Sequence, residues 1–234
     1  MVRASSDWPK RKEFEDFLIS LGIVGFFEKP VQIKRGLFSN FYVNWRTPSG
    51  DAFLLDKVTD YILDFIKFNR LKPKCIYGVP EGATKWGIVT QLKWAKGQPD
   101  FRKGMYPVPQ GRSVPKEHGM PQDRYFVGAP KGPTVIIEDV TVEGESLLNV
   151  IDKLQSLGIP IVAAIALTDR NEKTPNGSSV EEIVKSKGVK YCAMSNALSF
   201  LPIVYSLNRP GKSVGKAVEE EFKDRGTARI RLLA

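Results

Sequence analysis

Two adjacent carboxylates lie near the middle of this 234-residue chain, between an apolar run and a helical pattern. Glu138 and Asp139 follow the apolar residues 135–137, and Gly144 lies in the short polar turn after them. Apolar residues then recur at helical spacing over 147–154, which predicts a strand, an acid pair, a tight turn and a helix. Carboxylates suit sugar hydroxyls or a metal ion, and a helix N-terminus suits a phosphate. A ligand that carries both a ribose and a phosphate fits this pattern.

A second cluster of reactive side chains is cationic. Arg112, Lys116 and His118 fall within seven residues of a glycine-bounded loop, and His118 is the only histidine of the chain. The surrounding stretch 109–123 has no hydrophobic period and is rich in glycine, proline and charge, as in functional lids or disordered connections. A plain solvated loop is the alternative. The clustered positive charge instead favours a flexible flap that covers a bound polyphosphate.

These clusters need elements that bring them to one edge of a sheet. From residue 75 onward, apolar strands and amphipathic helices alternate, which predicts an α/β fold with a doubly wound, mostly parallel sheet. In such sheets, ligands bind beyond the carboxyl ends of the strands. The predicted strands are 75–79, one beginning at 106–108, 124–129, 134–137, 161–167 and 191–194. The predicted helices are 83–95, 147–157, 179–187, 196–207 and 211–225.

The N-terminal part follows a different pattern. It predicts a helix at 7–21 capped by Asp7, and two strands at 31–34 and 41–45. These elements predict a small hood subdomain over residues 1–50. The core over 51–234 begins with a further predicted helix at 51–69 and contains the flexible loop 109–123.

The bulk composition limits the function classes. A net charge of +9 points to an anionic partner, but the basic residues form no run of five, so a phosphorylated metabolite is favoured over nucleic acid. No apolar run approaches the roughly 20 residues of a membrane span, and the N-terminus lacks an apolar signal core. Cys75 and Cys192 lie in apolar strands and are expected as buried thiols. We therefore expect a cytoplasmic protein that binds no membrane.

The stretch 135–146 resembles the phosphoribosyl pyrophosphate (PRPP) motif of the type I phosphoribosyltransferases. In that family two adjacent acids after an apolar strand bind the ribose hydroxyls, and the next loop wraps the 5-phosphate with backbone amides. This sequence departs from the family pattern at Val142, where a hydroxyl residue is usual, and at Glu143, where a small residue is usual. The resemblance implies a PRPP site made of Glu138, Asp139, Val140, Thr141, Val142, Glu143, Gly144, Glu145 and Ser146.

The loop at 112–119 resembles the flexible catalytic loop of the orotate phosphoribosyltransferases. Its residues Arg112, Lys116, Glu117, His118 and Gly119 match that loop in type and spacing, and Ser113 stands where a second lysine is frequent. The resemblance implies that Arg112, Ser113, Lys116 and His118 bind PRPP. It also implies that Lys116 and His118, with Asp139, are the catalytic residues. In the family this loop reaches into the neighbouring subunit's site, which implies a homodimer with shared sites.

Three other segments carry the same resemblance. Residues 34–44 match the family's base-binding segment, which implies that Lys34 and Tyr42 hold orotate, with Val43 in place of a second ring. Arg170 follows the strand 161–167, and its guanidinium can hold the orotate carboxylate through paired hydrogen bonds. The turn at 78–87 is the family's pyrophosphate turn, which adds Glu81, Gly82 and Lys85 to the PRPP site.

The resemblance implies a reaction and a cofactor. The reaction transfers phosphoribose from PRPP to orotate and gives orotidine monophosphate and pyrophosphate in pyrimidine synthesis. Mg²⁺ is expected as the cofactor, held mainly by the substrate rather than by protein ligands. Two alternatives remain at this point. One is a phosphoribosyltransferase for another nucleobase, and the other is a non-catalytic regulator that senses PRPP and binds nucleic acid, although the sequence has no nucleic-acid-binding signature.

Overall fold

The protein alternates helices and strands along most of its length, in a computed structural model that describes residues 7–118, 120 and 123–233. The helices are α1 (Arg11–Ser20), α2 (Ala52–Phe68), α3 (Thr84–Lys96), α4 (Glu145–Ser156), α5 (Val180–Ser186), α6 (Ala197–Asn208) and α7 (Lys212–Arg225). The strands are β1 (Val24–Lys34), β2 (Leu37–Val43), β3 (Cys75–Gly78), β4 (Gln110–Gly111), β5 (Phe126–Val127), β6 (Thr134–Thr141), β7 (Ile161–Asp169) and β8 (Lys190–Asn196). Within the described residues, no helix has both the length and the apolar character needed to cross a bilayer.

Four parallel strands form the central sheet, in the order β3-β6-β7-β8. Val135, Ile136 and Ile137 in the middle of β6 are fully buried, as expected for a parallel strand covered on both faces. The parallel α/β sheet predicted from the alternating pattern is therefore confirmed. The acid pair, expected just after the strand, lies within it, because β6 stays paired with β7 as far as Thr141 and Asp169.

The N-terminal hairpin is longer than its sequence pattern predicts. β1 begins at Val24 rather than at residue 31, and its pairing with β2 is irregular between Phe26 and Val31. That irregular stretch contains the exposed polar residues Glu28 and Lys29, which hide the strand from an apolar-period search. The turn after β1 uses Gly36 at φ +77°, a left-handed conformation that favours glycine.

One further predicted boundary and one predicted strand are wrong for local physical reasons. α1 begins at Arg11 with Lys10 at the N-cap position, because buried Trp8 holds the preceding turn through a 2.8 Å hydrogen bond from its Nε1 to Asp64. The strand expected at 106–108 does not form. Pro107 and Pro109 have no N–H to donate to a sheet, and the Pro107 carbonyl accepts a side-chain hydrogen bond from Gln91 instead.

One contiguous apolar core joins the hairpin, α1 and the central sheet. Trp45, just after β2, is central to that connection. Its indole Nε1 donates to the Thr168 hydroxyl at 2.9 Å, and its ring stacks on Phe14 with centroids 5.7 Å apart. Trp45 also meets Trp86 of α3 edge to face. These contacts fix the hairpin at the edge of the sheet where β6 and β7 end.

Candidate active site

A cavity of about 240 Å³ lies between the hairpin and the carboxyl ends of β3 and β6. Most of the predicted site residues line it: Lys34, Tyr42, Val43, Glu81, Gly82, Glu138, Asp139, Val140, Val142, Glu143, Gly144, Glu145, Ser146 and Arg170. Asn44, Arg46 and Pro80 also line it, although the sequence patterns did not single out the last two. Arg46 directly follows the predicted strand 41–45, part of which the sequence analysis assigned to the base site. A cation at that position was the sequence signal that could have identified it.

Glu138 is a buried carboxyl at the floor of this cavity, with only 5% of its surface exposed. Burial raises the pKa of Glu138 well above its ordinary range, and the adjacent charge of Asp139 raises that pKa further. The backbone N–H of Asp139 donates to Glu138 Oε1 at 3.3 Å, and the positive charge of Arg46 partly opposes the rise. The site therefore holds one carboxyl that gains a proton easily beside a more accessible one.

Asp139 lies directly against the backbone of the turn that follows β3. A Cβ atom added at Gly82 would stand 2.2 Å from Asp139 Oδ2, so a side chain at that position would require the Asp139 carboxylate to move. This close approach places backbone groups of the turn beside the acid pair.

The loop after β6 leads into a helix N-terminus whose geometry suits an anion. Gly144 adopts φ +74°, and a Cβ there would also approach Val180 Cγ1 to 2.9 Å, so both conformation and packing require glycine. α4 then begins at Glu145 without a side-chain N-cap. The free N–H groups of its first turn and its dipole are therefore available to an anion from the cavity.

Two carboxylates of this loop are paired with a lysine of the hairpin. Lys34 Nζ lies 2.5 Å from Glu143 Oε2 and 2.7 Å from Glu145 Oε2. The hydrogen bonds to Glu143 and Glu145 raise the pKa of Lys34. Lys34 therefore lines the cavity, but its ammonium contacts carboxylates of the loop between β6 and α4.

Thr141 directs its hydroxyl into the sheet rather than toward the cavity. It is buried, its Oγ1 lies 2.8 Å from the hydroxyl of Tyr191, and that tyrosine donates to Asp169 Oδ2 at 2.9 Å. Burial raises the pKa of Asp169. Thr141 therefore does not line the cavity, and its contact with PRPP stays a prediction.

Arg170 reaches the cavity wall, but its guanidinium is held by other groups. Its side chain is 1% exposed and makes an ion pair of 2.6 Å with Glu172. Its Nε also donates to Glu172 at 2.8 Å, Nη1 donates to the Phe41 carbonyl at 3.1 Å, and Nη2 donates to the Ser39 hydroxyl at 2.9 Å. Arg170 therefore ties β2 to the end of β7, and its contact with orotate stays a prediction.

The cationic loop is organised by its backbone, while its side chains extend outward. β4 pairs with β5, and the N–H groups of Arg112 and Lys116 donate to the carbonyls of Tyr125 and Arg124 at 2.9 and 2.7 Å. The side chains of Lys116 and His118 are exposed and do not line the cavity. Gly119, which completes the sequence match, lies outside the described residues.

Two further contacts locate the remaining predicted residues. Ser113 Oγ donates to Glu81 Oε1 at 2.7 Å and so joins the cationic loop to the turn that follows β3. Lys85 extends away from the cavity and donates to the Ser49 carbonyl at 3.2 Å. A second cavity of about 290 Å³, lined by Arg112 and Ser113, shares Ser146 with the first.

The donor set at the acid pair fits a shared metal ion rather than a closed metal centre. Among the described residues, no three histidine, cysteine or carboxylate side chains are grouped to hold a metal. Glu138 and Asp139 instead offer neighbouring oxygens at the cavity. Mg²⁺ is commonly held by one or two carboxylates together with substrate phosphates, so these two residues suit it.

Comparison with known proteins places the chain in a family. The chain is 30% identical over 183 residues to the orotate phosphoribosyltransferase of Pyrobaculum islandicum, which covers 75% of this chain and 86% of that protein. No protein-family model matches the chain. Among solved structures, Leishmania donovani UMP synthase superposes with a TM-score of 0.68 at 18% identity, over 92% of this chain and 42% of the synthase. The Mycobacterium tuberculosis orotate phosphoribosyltransferase in complex with PRPP gives 0.56 at 16% identity, over 81% and 97% of the two chains.

The structural matches establish the fold, which is that of the type I phosphoribosyltransferases. The sequence match is closer and more specific. With 30% identity over most of the relative's length, the chain belongs to the orotate phosphoribosyltransferase family. The resemblance inferred from the motifs at 112–119 and 135–146 is thereby confirmed at the level of the family, while the individual residue roles stay predictions.

Proposed function

We propose that this protein transfers the phosphoribosyl group of PRPP to orotate, which yields orotidine monophosphate and pyrophosphate. The observation that carries the proposal is the cavity in which an acid pair, an uncapped helix N-terminus and the hairpin residue Tyr42 face one another. This arrangement supports a ribose, a phosphate and a base in one site. Membership of the orotate phosphoribosyltransferase family supports the same substrates.

The proposed chemistry relies on orientation and charge. Glu138 and Asp139 hold the ribose hydroxyls, and backbone amides of 140–146 hold the 5-phosphate. Bond breaking at the sugar carbon builds positive charge on the ribose and negative charge on the departing pyrophosphate, as in other glycosyl transfers. Holding the base nitrogen in line with the sugar carbon removes much of the entropic barrier.

The charge on the leaving group is assigned to the exposed loop. Arg112, Lys116 and His118 close over the pyrophosphate and stabilise its developing charge. Bound Mg²⁺ would neutralise pyrophosphate oxygens and help to orient the ribose hydroxyls. The proposal includes a homodimer in which this loop completes the neighbouring site, a hood over residues 1–50, and a cytoplasmic location.

A spectrophotometric assay tests the reaction directly. Purified protein with PRPP and Mg²⁺ should consume orotate, and the rate with uracil should be far lower because uracil lacks the carboxylate. Asp139→Asn tests the acid pair, because it keeps the shape of the side chain but removes its charge, and it should lower kcat/KM by about 10- to 100-fold. Equal rates with both bases, or no orotate consumption at micromolar enzyme, would reject the proposed reaction.

A further inference from the structure

The phosphate loop of this protein carries negative charge where its ligand is also negative. Glu143 and Glu145 flank Gly144 at the N-terminus of α4, the place proposed for the 5-phosphate. A phosphate dianion gains from the N–H groups and dipole of a helix N-terminus, but neighbouring carboxylates repel it. The loop therefore needs a compensating positive charge before it can serve a phosphorylated donor.

Lys34 supplies that charge from a different part of the fold. Its ammonium lies between the two carboxylates, 2.5 Å from Glu143 and 2.7 Å from Glu145. The pair with Glu143 is the more enclosed, since the side chains are 32% and 16% exposed. Because Lys34 ends β1, this contact also fastens the tip of the hairpin onto the phosphate loop.

The other cations that line the cavity are placed elsewhere. Arg170 is ion-paired with Glu172, and Arg46 acts electrostatically on Glu138. Within the described residues, Lys34 is thus the cation in ion-pair contact with the loop carboxylates. The pairing draws these acids toward the hairpin, and the backbone N–H groups of the first turn of α4 remain free.

We propose that Lys34 is a positioning residue for the 5-phosphate of the donor, acting through Glu143 and Glu145 rather than through the base. The inference rests on the proposed function and refines it. The ammonium offsets one of the two negative charges and holds both carboxylates against the hairpin. If Lys34 contacted only orotate, its loss would weaken orotate binding and leave PRPP binding unchanged. The two roles therefore differ in which substrate binds more weakly when Lys34 is replaced.

A double-mutant cycle on donor binding tests this role. Lys34→Met should weaken PRPP binding about 10-fold or more, as expected for the loss of a charge-assisted contact, and should change the KM for orotate much less. Adding Glu143→Gln and Glu145→Gln to that variant should restore PRPP binding to within about threefold of wild type. Lys34→Arg should stay close to wild type. Lys29→Met, at an exposed position of the same strand, is the matched control and should behave as wild type.

PRPP binding is measured by calorimetry in the absence of orotate, so it does not depend on turnover. If wild type binds PRPP but does not convert orotate, the proposed reaction fails while the cycle still decides the role of Lys34. A rise in orotate KM without loss of PRPP affinity, or no rescue by the glutamine changes, overturns the inference. Absence of PRPP binding by wild type overturns it as well.

A second variant keeps the test independent of the folding of Lys34→Met. Glu143→Gln with Glu145→Gln on the wild-type lysine should leave PRPP affinity unchanged or increase it, because an unpaired ammonium then faces the phosphate. Weaker PRPP binding by this variant would show that the carboxylates themselves hold the donor, and would overturn the inference.

Discussion

Glu138 and Asp139 lie on a strand that is paired on both sides, whereas Lys116 and His118 lie on a loop whose side chains face solvent. Both regions are predicted to touch the same substrate. The sheet edge has its geometry before any ligand arrives, because β6 cannot shift without breaking two ladders. The loop has a backbone ladder at its base, and its charges must be brought to the site by closure or by a partner subunit. The site thus combines a preformed half with a half that is completed on binding.

The largest expected effect lies on the preformed side, at Arg170. Arg170→Met should lower the free energy of unfolding by about 3–5 kcal/mol, because it leaves Glu172 buried without its closest partner. Chemical denaturation measures this loss, and Arg229→Met at an exposed position should change stability by less than about 0.5 kcal/mol.

The same variant also separates two roles of Arg170. A stable Arg170→Met protein with a strongly raised KM for orotate would mean that the guanidinium serves the base and not the fold. In that case the sheet edge would be less preformed than its hydrogen bonds suggest.

The next effect belongs to the loop. Lys116→Ala should lower kcat by about 100- to 1000-fold if its charge stabilises the departing pyrophosphate. The melting temperature should not change, since the side chain is exposed. Lys103→Ala, also exposed and in the same connection between α3 and β4, is the control. An unchanged kcat would remove Lys116 from the mechanism and leave the preformed half to act alone.

The sequence predicted the preformed half well because its signals are local. The apolar run of β6, Gly144 and the helical spacing of α4 all lie within about twenty consecutive residues, and the structure reproduces their order. The predicted strand was too short, because the pairing of β6 with β7 continues through Glu138 and Asp139.

Contacts between distant residues could not be predicted in this way. Lys34 meets Glu143 across 109 positions, and Arg170 meets Ser39 across 131. No local pattern reports such pairs, so both side chains were assigned to orotate from the motif alone. Both side chains line the same cavity, but the partners of their charges depend on how the hairpin is placed on the sheet.

A smaller effect is expected at Glu138, where function opposes stability. Burial in the folded protein raises the pKa of this carboxyl. At a pH above the ordinary carboxyl pKa of about 4.3, the folded state therefore binds more protons than the unfolded state. Stability therefore falls as the pH rises through the window between the unfolded and folded pKa values. Glu138→Gln removes this penalty and should stabilise the fold by about 1–3 kcal/mol near neutral pH.

Denaturation at two pH values checks the sign. The stability gained by Glu138→Gln should be larger at pH 8 than at pH 5, and PRPP binding should weaken about 10-fold with the lost charge. Gln155→Glu, on the exposed face of α4, is a control that adds a surface charge and should show no comparable pH-dependent gain. A gain that shrinks as the pH rises would mean that Glu138 is stabilised as a carboxylate in the fold.

The smallest effect tests the junction between the two regions. Ser113 donates to Glu81 and ties the exposed loop to the turn beside Asp139. Ser113→Ala removes one hydrogen bond to a charged acceptor at an exposed site, so overall stability should change by less than about 1 kcal/mol. The loop should nevertheless open more often, because local opening depends on few contacts there. Limited proteolysis within 112–118 should therefore accelerate about two- to fivefold.

Ser113→Thr keeps the hydroxyl and should protect the loop, whereas Glu81→Gln should weaken the same bond and give an intermediate rate. Equal cleavage rates in all three variants would show that the backbone ladder of β4 and β5 alone holds the loop, and the exposed half of the site would then be independent of the preformed half.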